Sequence, residues 1–119
     1  MTSTKFNMTR DINGYNGFGI PFSLDGSTMV LAANTAQSVT VPANYPHWIA
    51  IFSYTPGSNI WVDGINTAVV PSGAASASTA RLNPSARYVK KGQTISFKTS
   101  DITSPAVCVE FLVAPFFGN

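Results

Sequence analysis

A chain of 119 residues fits one domain, and its net charge of +2 is too small to hold a nucleic-acid backbone. Only 10% of its residues are charged, against about a quarter in ordinary soluble domains, so its surface is polar through hydroxyls and amides and reads either as one largely covered by partners or as that of a secreted or neutral β-domain. The single cysteine, Cys108, excludes an internal disulfide and a thiolate metal site. No secretory h-region opens the chain, and the longest apolar run, residues 106–117, is too short to cross a bilayer and contains Glu110 and Pro115. The expectation is a protein made in a cytosol, with no nucleic-acid or membrane partner and with Cys108 as a buried, inert thiol.

Residues 1–19 are rich in Asn and Gly and carry single apolar side chains, Phe6, Met8, Ile12, Tyr15 and Phe18, with no helix or strand period. Five large apolar groups are many for a tail in water. The segment reads as an extended arm that lays them into grooves of its own domain or of a neighbour. From residue 20 onward the pattern is β. Residues 20–24, with Pro21, suit an edge strand; Asp25-Gly26 signals a turn; residues 28–32 form the next strand. In residues 37–42, Val39 and Val41 share one face and Ser38 and Thr40 the other, which marks a strand wet on one side.

The centre is residues 47–62. Two aromatic and β-branched runs flank Pro56-Gly57, where proline sets the first corner of a type II turn and glycine the second, so a hairpin is predicted. Trp48, Ala50, Phe52 and Tyr54 share one face, and Ile49, Ile51 and Ser53 the other. Both faces are mostly apolar, so the strand is interior or one face meets another subunit. Both tryptophans, Trp48 and Trp61, belong to this unit.

Residues 67–70 read as a short strand. Residues 74–80, rich in Ala, Ser and Thr, read as strand or extended loop rather than helix. Residues 82–86 read as a turn, 87–89 as a strand and 90–92 as a turn. Residues 94–98 form a strand with Ile95 and Phe97 inward, and residues 106–113 a long strand with Val107, Val109, Phe111 and Val113 on one face. About eight or nine short strands without a helix pattern indicate an all-β, single-domain antiparallel β-sandwich of jelly-roll type over residues 20–119, with residues 1–19 as its arm.

Catalytic equipment is sparse. His47 is the only histidine and Glu110 the only glutamate, so the several-histidine metal set of cupin-type jelly rolls cannot be built. Asp63 and Asp101 fall in turns, where aspartate accepts backbone N–H groups. No nucleophile elbow occurs, and Gly17-Phe18-Gly19 lacks the strand-to-helix context of a phosphate loop. No catalytic, cofactor-binding or metal residue is assigned, and the expectation is a non-enzymatic protein without cofactor. Arg81, Arg87, Lys90, Lys91 and Lys98 cluster in a stretch that has no acid between Asp63 and Asp101. They suit a basic docking patch for an acidic surface, or a solvated loop and edge strand whose charges discourage edge pairing. Tyr15, Tyr45, Trp61 and Tyr88 offer faces for sugar rings, which makes a carbohydrate-binding module the alternative; otherwise Trp61 fills the core and the tyrosines sit at its rim.

Val41-Pro42, the run Trp48-Ile49-Ala50-Ile51-Phe52-Ser53-Tyr54-Thr55-Pro56-Gly57, Trp61-Val62, Leu82-Asn83-Pro84-Ser85-Ala86-Arg87 and Val89-Lys90-Lys91-Gly92 resemble segments of small structural proteins of tailed bacteriophage virions. The likeness covers most of residues 42–113 and much less of the two ends. It implies a β-sandwich that assembles as oligomers, commonly trimers, on the head shell as a capsid decoration or cement protein, or serves as a fibre or tail accessory. Its partners would be further copies of itself and the major capsid protein or another virion protein. On that reading Phe6, Met8, Ile12, Tyr15, Phe18, Phe116 and Phe117 reach neighbouring subunits, and the basic stretch orients docking.

Overall fold

The computed structural model describes residues 3–5, 7–10, 16–19, 21–72 and 80–114. Nine strands follow one another: β1 (Asn7–Arg10), β2 (Asn16–Gly19), β3 (Asp25–Val30), β4 (Gln37–Thr40), β5 (His47–Tyr54), β6 (Ile60–Asp63), β7 (Ala86–Lys90), β8 (Thr94–Thr99) and β9 (Ala106–Val113), with no helix among the described residues. They form a four-stranded sheet, β3-β9-β5-β7, a three-stranded sheet, β4-β8-β6, and a two-stranded ribbon, β1-β2. All six ladders are antiparallel. The protein is an all-β sandwich.

From β3 to β9 every connection crosses from one sheet to the other. This corrects the predicted hairpin. The local chemistry of Pro56-Gly57 is as read: Gly57 has φ +80°, and Ser58 N donates to Thr55 O at 3.1 Å. Yet β5 pairs with β7 and β9, while β6 pairs with β8. A type II turn splays the strands it joins, whereas tight hairpins use the mirror-image turns. Pro56-Gly57 therefore makes a corner between sheets. Crossing lets the apolar faces of both strands point into one core.

That core joins Trp48, Ala50, Phe52, Val107, Val109 and Phe111 of one sheet to Ile60, Val62, Ile95 and Phe97 of the other. Phe52 and Phe97 meet edge-to-face between the sheets, with centroids 6.1 Å apart. The fully buried Trp48 donates its indole N–H to Tyr45 O at 2.9 Å.

Three further expectations change. Asp25-Gly26 opens β3 rather than turning the chain, and pairs with Phe111 and Glu110; a Cβ at residue 26 would sit 3.2 Å from Val109 O, so glycine serves close strand approach. Residues 67–70 form no strand: they cross the outside of the three-stranded sheet, where Ala68 N donates to the Ser96 hydroxyl at 2.9 Å. Within the segment read as an arm without strand period, β1 and β2 pair as a ribbon, with Met8 opposite Phe18. The root of the ribbon is stitched down. Val113 N donates to Thr4 O at 2.7 Å, and Leu24 N to Thr4 Oγ1 at 3.1 Å. The expected strand or loop at 74–80 lies outside the described residues except for Ala80, which falls in a turn.

Candidate assembly surface

The strand period of two divides each sheet into an inward and an outward face. On the four-stranded sheet the outward set includes Ile49 and Ile51 of β5, Cys108, Glu110 and Leu112 of β9, and Tyr88 of β7. Leu112 is nevertheless fully buried, and Cys108 is half-buried. The alternation continues into residues 21–30, where every even-numbered side chain is exposed. Phe22 is 94% exposed, Leu24 69% and Val30 63%. Large apolar groups standing in line on one face are the signature of a surface built to be covered. The second apolar face foreseen for β5 thus exists, and the most exposed apolar groups stand at the sheet's edge beyond β9, Val30 on β3 and Phe22 and Leu24 just before it.

The outward face of the three-stranded sheet is different. Trp61 points to that side yet is only 5% exposed, because residues 65–71 cross above it. Its indole N–H is buried without a partner among the described residues, beside a cavity of about 200 Å³ lined by Val62, Ala68, Val69 and Pro71. Asp63 closes the rim. Burial pushes its carboxyl up, but hydrogen bonds from Ile65 N and Asn66 N and the Arg81 guanidinium at 3.1 Å outweigh that and hold it below the usual aspartate value. Asp101 likewise accepts Asn59 N at 2.9 Å, so both aspartates do the backbone work expected of them.

The basic residues divide between the sheets. Arg81 is engaged by Asp63 and lies along β6, where Val62 N donates to Arg81 O; Lys98 is the register partner of Trp61 on β8. Arg87 and Lys90 belong to β7, an edge of the opposite sheet, and Lys91 to the turn after it. Arg87 also donates to Ala80 O and moderates Tyr54, whose hydroxyl is pushed far above its ordinary value by burial while donating to Pro84 O.

Of the aromatic candidates for sugar stacking, Trp61 is covered, and Tyr45 is half-buried against Trp48, edge-on at 5.9 Å. Tyr88 is 41% exposed, with its ring stacked on His47 and its hydroxyl hydrogen-bonded to His47 Nδ1. Tyr15 lies outside the described residues, as do Phe6, Ile12, Phe116 and Phe117, while Met8 and Phe18 are described by backbone pairing alone. Among the described residues no three His, Cys, Asp or Glu side chains gather into a metal-binding group. The residues that sequence reasoning missed are Phe22, Leu24 and Val30. Their alternation is present in the sequence, but Asp25-Gly26 signals a turn in the middle of it. Comparison with protein-family models, curated proteins and solved structures finds no match to this chain.

Proposed function

We propose that the protein is a structural component that assembles with copies of itself and docks on a larger shell, in the manner of a phage capsid decoration or cement protein. The observation that carries this reading is the set of exposed apolar side chains at and just before the edge strand β3, Phe22, Leu24 and Val30. In a lone protein that surface costs solubility; in an assembly it is the adhesive. Strand order adds support. Taking residues 81–83 as a vestigial strand bridged to β6 through Trp61 and Leu82, the sheets run β3-β9-β5-β7 and β4-β8-β6-(81–83). That is the order of an eight-stranded jelly roll, an architecture shared by capsid proteins and lectins. The ribbon leaves and returns at one place, beside Thr4 and Leu24, which suits a reaching arm.

The test is the mass of the full chain in solution across concentration. Multiples of the 12.6 kDa monomer are expected, and Phe22→Ser with Leu24→Ser should lower the assembly state while leaving the far-ultraviolet β spectrum intact. A protein that stays monomeric throughout overturns the reading.

A further inference from the structure

The edge of β3 has a defined pattern of satisfied and open backbone groups. In the antiparallel ladder with β9, Leu31 N donates to Pro105 O, so the odd-numbered residues of β3 bond inward to β9. The even-numbered residues then direct their N–H and C=O groups to the free edge. The two ends of that edge are plugged by side chains. At one end Thr4 Oγ1 takes Leu24 N at 3.1 Å. At the other, the Gln37 amide accepts Ala32 N at 3.1 Å and donates to Val30 O at 3.4 Å, imitating a paired strand. Among the described residues, the groups left open between these plugs are centred on Gly26 and Thr28, both exposed.

We propose that this window is a strand-addition site for a second copy of the chain, related by a two-fold axis at Ser27. The proposal rests on the self-assembly reading above. In that register Gly26 faces Thr28 of the mate and Thr28 faces Gly26, so about four backbone hydrogen bonds would use the groups the plugs leave open. Gly26 and Thr28 are equally distant from Ser27, so the two open positions exchange partners across the axis, as an isologous contact requires. Glycine at 26 leaves room for the opposing threonine. The far edge of the same sheet, β7, carries Arg87 and Lys90, the usual guard against edge pairing. The even-numbered positions of residues 22–30 carry no charge. The pair would be one eight-stranded sheet with the two apolar lines joined into one surface.

Thr28→Pro is the discriminating variant. The Thr28 N–H points away from β9, so proline removes no internal ladder bond but blocks the edge. We expect the dissociation constant between copies, read by sedimentation equilibrium, to rise more than about tenfold, with the β spectrum unchanged. A second measurement needs no variant. In the wild-type chain, amide hydrogen exchange at Gly26 and Thr28 should slow as rising concentration carries monomer into assembly, because the pairing gives those two N–H groups carbonyl partners. An assembly indifferent to Thr28→Pro, or one that leaves exchange at Gly26 and Thr28 unprotected, overturns the pairing while leaving self-assembly standing. A monomeric wild-type chain overturns both.

Discussion

Replacing each tryptophan with phenylalanine separates two burial situations that look alike in the sequence. Trp48 is fully buried and its indole N–H reaches Tyr45 O at 2.9 Å. Trp48→Phe opens a void and strands that carbonyl, at a cost of about 2–4 kcal/mol. Trp61 is 5% exposed, next to a cavity of about 200 Å³, and its N–H has no partner among the described residues. Trp61→Phe removes the same volume but also removes a stranded donor, which returns about 1–3 kcal/mol. The Trp48 variant should therefore be the less stable of the two by about 3 kcal/mol, or roughly 10 °C in melting temperature for a domain of this size. Urea unfolding followed by fluorescence measures this directly, since each variant keeps the other tryptophan as its probe. Equal losses would refute the reasoning, because the hydrogen-bond inventory of the two indoles would then not govern their cost.

Asp63 gives an acid-side prediction. Its folded-state pKa lies below the unfolded one, so its contribution is complete above the unfolded value of about 4 and fades as pH falls through the folded value. Asp63→Asn should flatten the wild type's stability loss below about pH 4, as read by unfolding at stepped pH. Tyr54 gives the alkaline counterpart. Its folded-state pKa is raised, so stability holds below the unfolded value of about 10 and declines above it, as the unfolded chain releases a proton that the folded one keeps. Ultraviolet titration should find Tyr54 ionising above the ordinary tyrosine range, and Tyr54→Phe should cost about 1 kcal/mol at neutral pH through the lost bond to Pro84 O. Gly57→Ala should cost about 1 kcal/mol, because φ +80° is strained for any side chain even in the open space at that corner.

Most strand positions were legible because their signal is local. Residues 106–113 alternate Val107, Val109, Phe111 and Val113 against Cys108 and Glu110, and β9 spans Ala106–Val113. Residues 94–98 and 37–42 carry the same period and correspond to β8 and β4, while residues 87–89, set off by turn signals on both sides, correspond to β7. The corner at Pro56-Gly57 and the turn at Gly92, with φ +74°, follow from glycine's access to positive φ. Pairing was not legible. The type II turn at Pro56-Gly57 splays the strands it joins, but the dipeptide does not state which strands each of them then bonds to. That depends on which arrangement buries both apolar faces, a property of all seven sandwich strands together. The same holds for Trp61, whose sequence context matches that of Trp48. Its outward placement and its cover by residues 65–71 arise only when Ala68 reaches Ser96, some thirty residues away. Composition and alternation determined an all-β chain with more apolar surface than one core needs; the tertiary structure decided where the surplus stands, because exposure belongs to a strand's neighbours and not to its own residues.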